Sequence, residues 1–220
     1  MDIKKLYFKT RNSSLANENR TSLAEREVKT IQIFEKICST RMIINGGTVL
    51  DLGAGDQYLK PEFEKNHMSY TGLDIDDLNL ETDKINSDDN VFDLVVSYSV
   101  IEHLYDPQNF LSEIFRVMKP GGIVLIETPN WHYSFKTFYN DYTHVRPFCP
   151  ESLKALLIAN DFDSVRAFPN LRCKPSFFYT NKHSFKIAAN LPFTGGVSSF
   201  IPEVLKGRAI GMFLVATKNI

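Results

Sequence analysis

The chain is short of the features that usually identify a function at once. Its 220 residues include three cysteines and one tryptophan, and the formal net charge is −1. Cys38, Cys149 and Cys173 are odd in number, widely spaced and in no ligand pattern. That argues against a disulfide framework and a zinc site. Free thiols in a reducing cytoplasm are the expectation. Balanced charge supplies no global field toward nucleic acid or an anionic membrane. No apolar run reaches the roughly 18 residues of a spanning helix. Met1-Asp2-Ile3-Lys4-Lys5 is not followed by the apolar core of a signal peptide, so secretion is not expected. No His/Cys/Asp cluster has metal-ligand spacing, so no metal is expected. A basic stripe and a target-base motif such as Asn-Pro-Pro-Tyr are missing too, so nucleic acid is not an expected partner.

What is present is a chain with 43% hydrophobic residues, enough for one sizeable core. Residues 1–20 are polar and aperiodic and read as a loose arm. Residues 21–220 read as a single domain. Ser22-Leu23-Ala24-Glu25 looks like a capping box. Val28, Ile31, Phe34, Ile37 and Cys38 follow at helical spacing. Asp106-Pro107 caps another helix, with Phe110, Leu111, Ile114, Phe115 and Met118 as its stripe. Pro150-Glu151 opens a third. Ser164 to Phe168 and Met212 to Thr217 read as late strands. Alternating strands and helices predict a doubly wound, mostly parallel α/β sheet. The insert 170–208 is rich in aromatic and basic residues and is expected to shape the substrate site.

The motifs lie between these elements. Val49-Leu50-Asp51-Leu52 runs into Gly53-Ala54-Gly55, a strand ending in a tight turn where glycine lets the backbone approach a ligand. Tyr70-Thr71-Gly72-Leu73-Asp74 is a second strand ending in an acid. Phe92 to Ser97 is a third apolar run, followed by Val100-Ile101-Glu102-His103-Leu104. The Asp74 to Phe92 link is too short for a crossover helix, with room for a brief strand near Leu78-Asn79-Leu80. Lys119-Pro120-Gly121-Gly122 leads into a fourth run, Ile123 to Thr128.

In this order the motifs resemble the class I methyltransferases that use S-adenosylmethionine, firmly from Val49 to Asn130 and more loosely to about Phe162. The resemblance implies a seven-stranded sheet and S-adenosyl-L-methionine as cofactor. It places Gly53, Ala54 and Gly55 under the methionine part, with Asp51 orienting the ammonium end. Asp74 would accept from both ribose hydroxyls, since a carboxylate is acceptor-only and takes two donors. Ile75 and Ser97 join the cofactor set, and Glu81-Thr82 is the best match for the adenine contact. The family often has a third glycine, and here Gln57 stands in its place. The dinucleotide fingerprint Gly-x-Gly-x-x-Gly fits worse, because its third position is Tyr58 and Asp51 would repel a pyrophosphate.

The acceptor side is read from the histidines. Asp141-Tyr142-Thr143-His144-Val145-Arg146 resembles a segment of methyltransferases acting on sugars, glycolipids and similar metabolites. His144 is then the candidate base, with Asp141 to orient it. The bland alternative is that this segment stitches a loop to the next helix. His103 is a second candidate, and Trp131-His132 also lies on the expected active face. The expected reaction is methyl transfer to a small-molecule, sugar or glycolipid acceptor, at a hydroxyl oxygen. A lipid-quinone or other membrane-associated acceptor, reached by peripheral contact, is the alternative. A non-catalytic cofactor-binding protein on the same fold is the rival of another class.

Overall fold

Strands buried on both faces read as unbroken apolar runs, because a helix layer covers each side. The structure, a computed structural model, describes residues 20–171, residue 183 and residues 210–219. Among the described residues, six strands form one sheet: β1 (Thr48–Leu52), β2 (Ser69–Leu73), β3 (Phe92–Tyr98), β4 (Met118–Pro129), β5 (Phe162–Pro169) and β6 (Gly211–Lys218). Their order is β2-β1-β3-β4-β6-β5. The first four run parallel, while β6 is antiparallel to both β4 and β5. The helices are α1 (Arg20–Cys38), α2 (Lys60–Lys65), α3 (Gln108–Val117), α4 (Trp131–Ser134) and α5 (Pro150–Ala159).

Side chains alternate across a strand, and the core divides accordingly. Leu50, Val95, Val124, Ile126 and Leu214 pack with Phe110, Leu111 and Ile114 of α3 and with Leu153 and Leu157 of α5. Val49, Leu94, Val96, Ile123, Leu125 and Phe213 pack with Ala24, Ile31 and Phe34 of α1 and with Phe63 of α2. Burying one such side chain contributes about 1.5–3 kcal/mol. These two layers hold the strand ends, and so the site, in fixed register. Among the described residues no helix is long and apolar enough to cross a membrane.

Several sequence expectations change here. The arm was read as ending at residue 20, yet Arg20 is already helical and Ser22 lies inside α1. Most of the arm, and the insert apart from Asn170, Leu171 and His183, fall outside the described residues. The seventh strand expected near Leu78–Leu80 does not form, and six strands are described. Local side-chain bonds compete with pairing there. The Asn79 N–H donates to Asp83 Oδ2 at 2.7 Å, and the Glu81 N–H to Asn79 Oδ1 at 3.0 Å. The link carries no helix, as its length required. Three α3 residues on one helical side hold it instead. Asn109 Nδ2 donates to the Leu80 carbonyl, Glu113 accepts from the Ile85 N–H, and Arg116 donates to the Ser87 and Ile85 carbonyls.

The Lys119–Gly122 turn lies inside β4. Pairing with β3 jumps from Phe92–Met118 to Leu94–Ile123, so these residues bulge out of the ladder. Gly121 takes φ 76°, a conformation that costs L-residues energy.

Candidate functional site

Ligands of open α/β sheets sit beyond the carboxyl ends of the strands. Here β1, β2 and β3 end at a cavity of about 600 Å³. Its walls include Asp51, Gly53, Ala54, Gly55, Asp74, Ile75 and Glu81, all anticipated from sequence. Thr82 and Ser97 do not line it. Thr82 is exposed and donates to Asp83 Oδ1. Ser97 is fully buried and its hydroxyl donates to the Leu52 carbonyl at 3.0 Å.

The turn after β1 is shaped by its glycines. Gly53 has φ 82°, and a Cβ there would stand 2.3 Å from Val100 Cγ2. Both the backbone angle and the space require glycine. The Gly53 and Ala54 N–H groups donate to the Leu73 carbonyl, tying the turn to the end of β2. Gln57, in place of the family's third glycine, takes φ 56°. The position therefore keeps the left-handed backbone that glycine would favour.

The electrostatics are one-sided. Among the described residues, seven carboxylates line the cavity, against one guanidinium, Arg20. Arg20 pairs with Asp56 at 3.0 Å and lies over the Tyr58 ring. Burial pushes the Asp51 carboxyl up to about 7. The Tyr70 hydroxyl, donating to Asp51 Oδ2 at 2.7 Å, pulls it partly back, and Asp74 raises it further. Asp74 is also raised, first by burial, while the Ile75 and Gly55 N–H groups lower it. A cavity of this character favours a cationic, hydroxyl-rich ligand and disfavours phosphates.

The sequence reading missed two parts of this wall, Arg20 and Tyr98, and a carboxylate bonded to its Ser99. Arg20 is brought in by α1. Tyr98 ends β3, and its buried hydroxyl has no hydrogen bond among the described residues. Glu127, near the end of β4, accepts from Ser99 Oγ at 3.0 Å and Asn170 Nδ2 at 3.3 Å. Burial pushes Glu127 up to about 7, and Glu27 adds to the shift. Tyr98 and Glu127 sit at strand ends, so the strand-end rule would have found them.

On the far side of the cavity, His103 joins a polar cluster. Glu102 and His103 form a tight turn after β3 and are buried. The His103 and His144 rings lie 4.7 Å apart. His103 Nδ1 faces the Thr143 carbonyl at 3.1 Å, and His144 Nδ1 faces the Phe138 carbonyl at 2.7 Å. Asp141 was expected to orient His144. The Phe138 carbonyl faces Nδ1 of that ring, and Asp141 lies on the Nε2 side. Asp141 receives the Thr143 N–H and hydroxyl on Oδ1 and keeps Oδ2 3.9 Å from His144 Nε2. Arg146 donates to the Tyr105 carbonyl. Trp131 packs edge-on against Phe138 and Tyr139. His132 is exposed beside Glu151.

The chain is similar to known proteins. A family profile described as a methyltransferase domain matches residues 18–167. A probable S-adenosylmethionine-dependent methyltransferase of Mycolicibacterium smegmatis is 58% identical over 38 residues, which are 17% of this chain and 15% of that protein. The ubiquinone biosynthesis O-methyltransferase of Brucella anthropi is 28% identical over 120 residues, covering 52% of this chain and 48% of the relative. The chain thus spans about half the length of such relatives, or less. A crystal structure of an S-adenosylmethionine-dependent methyltransferase from Archaeoglobus fulgidus superposes with TM-score 0.57 at 22% identity, covering 88% of this chain and 94% of that one. At that identity the likeness speaks for the fold. The family profile spans more than half of the chain, and on that ground the chain belongs to the class I S-adenosylmethionine-dependent methyltransferase family.

Proposed function

We propose that the protein transfers a methyl group from S-adenosylmethionine to a hydroxyl oxygen of a small-molecule or glycan-type acceptor. The observation that carries this reading is the carboxylate-lined cavity at the ends of β1 and β2, with His103 on its wall. The residues present suit the cofactor. Asp51 and its acidic neighbours complement a cationic methionine end. Asp74 is placed to take the ribose hydroxyls, and the glycine turn leaves room for close approach. Leu78, Leu80 and Leu104 give an apolar wall beside Glu81 for the adenine. Glu81 already accepts the Asp106 N–H at 2.9 Å, which fixes the wall to the start of α3. When bound, the cofactor supplies a methyl group already activated by its sulfonium.

The chain's own part is to bind, align and deprotonate. Alignment of the acceptor is a proximity effect. The cluster of Glu102, His103, Asp141 and His144 is where the hydroxyl proton would go. Residues of the insert 170–208 would shape the acceptor face. A lipid-quinone or other membrane-associated acceptor is the second reading. Tyr105, Tyr139 and Tyr142 are each more than half exposed near the cluster, and several relatives carry names from ubiquinone biosynthesis. Calorimetry with S-adenosylhomocysteine, followed by transfer of labelled methyl to a panel of sugars and polyhydroxylated aromatics, tests the reading. Binding and label transfer are expected. A chain that binds neither cofactor form would sink it.

A further inference from the structure

We infer that Glu102, His103 and His144 form a binding site for a divalent transition-metal ion, an inference that rests on the acceptor face proposed above. One donor atom from each of the three lies within 4.8 Å of the other two. His144 Nε2 stands 4.0 Å from Glu102 Oε1. Movement on the order of half an ångström by each ligand would reach metal–ligand distances of about 2.0–2.2 Å.

The remaining polar atoms of the three side chains are already held. The Thr128 hydroxyl donates to Glu102 Oε2 at 2.9 Å. Both imidazole Nδ1 atoms face backbone carbonyls, those of Thr143 and Phe138. A carbonyl only accepts, so each Nδ1 carries a proton, which in a neutral imidazole leaves Nε2 as the ligand atom. Metal-binding histidines are oriented in this way, with the second nitrogen fixed by a carbonyl or carboxylate. The Thr143 hydroxyl links the two sides, lying 3.0 Å from His103 Nδ1 and donating to Asp141. Asp141 Oδ2, 3.9 Å from His144 Nε2, adds negative charge at the edge.

Two imidazoles and one carboxylate suit zinc, cobalt, iron or manganese better than magnesium or calcium. Three protein ligands leave open positions. Because His103 lines the cavity, an open position would face the acceptor. A hydroxyl bound there would lose its proton more easily, and the proton would leave to Asp141 or water.

The test is a Co²⁺ titration of the chelator-treated full chain, read by visible absorption. The expected result is a single Co²⁺ per chain, with bands typical of mixed nitrogen and oxygen ligation. Affinity should fall by roughly tenfold or more in His103→Ala and His144→Ala. Glu102→Gln keeps the side-chain volume and is the variant to read if an alanine form does not fold. A wild-type chain that takes no Co²⁺, or variants that bind it as tightly, would overturn the site. S-adenosylhomocysteine calorimetry runs alongside. Its failure would remove the methyltransferase reading while leaving the Co²⁺ result to decide this one.

Discussion

Two aspartates at opposite ends of the same sheet carry opposite electrostatic states. Asp93, near the start of β3, accepts from the Thr48 N–H and the Lys119 ammonium, both at 2.8 Å. Burial pushes its carboxyl up, but the Lys119 and Thr48 bonds outweigh it and hold the group below its usual range. Asp51, near the end of β1, accepts from a neutral tyrosine hydroxyl, and burial prevails. The paired acid fastens three strands together. The acid held by tyrosine alone is costly to ionise until a cation arrives. In an α/β sheet the first end is expected to govern stability and the second binding.

The largest effect that would sharpen this contrast is at Asp74. Asp74→Ala removes two charge-assisted hydrogen bonds to the cofactor, each worth about 1.5–3 kcal/mol. Calorimetry should show cofactor affinity weakened by on the order of 3–6 kcal/mol while urea unfolding barely moves. Unchanged affinity would mean that the binding end has been misassigned. Asp93→Ala should do the reverse. It leaves the Thr48 N–H and Lys119 without their acceptor and costs about 1–3 kcal/mol in urea unfolding, with cofactor affinity intact. A variant that loses affinity but not stability would break the comparison.

The smallest effect is a pH dependence. An unfolded aspartate titrates near 3.9, whereas folded Asp51 is raised to about 7. The folded chain therefore holds a proton that the unfolded chain releases across this window. The stability Asp51 contributes is complete below about pH 4 and is lost as pH rises through 7, by at most about 1.4 kcal/mol per unit. Glu127 adds the same trend. Asp93 runs the other way, contributing above its unfolded value and losing its contribution as pH falls through its lowered folded value. Cofactor affinity should rise between pH 6 and 8 as Asp51 ionises. Asp51→Asn should flatten the affinity profile, and a wild-type profile already flat would count against a raised Asp51.

The legible parts of the molecule were local. The β1 turn announced itself because φ above zero at Gly53 and the approach of Val100 leave no alternative to glycine there. Asp74 was legible from its place at a strand end. Helix α3 showed its stripe, while its N-cap is Pro107 and Asp106, one residue earlier, accepts the Gln108 N–H on Oδ1 at 3.0 Å. The Leu78–Leu80 strand was misread because short apolar residues looked like a ladder, while Asn79 and Asp83 closed a turn around them. Glu127 was passed over because nothing beside it in sequence shows that Ser99, Asn170 and Glu27 converge on it.

Sequence alone determined the α/β class, the parallel strands β1 to β4 and the glycine turn after β1, since periodicity, strand-end acids and obligatory glycines act over a few residues. Tertiary structure alone decided how the cavity is charged and which atoms of Glu102, His103 and His144 meet. Those outcomes depend on burial and on contacts between segments far apart in the chain, where desolvation and carbonyl partners set protonation and tautomer.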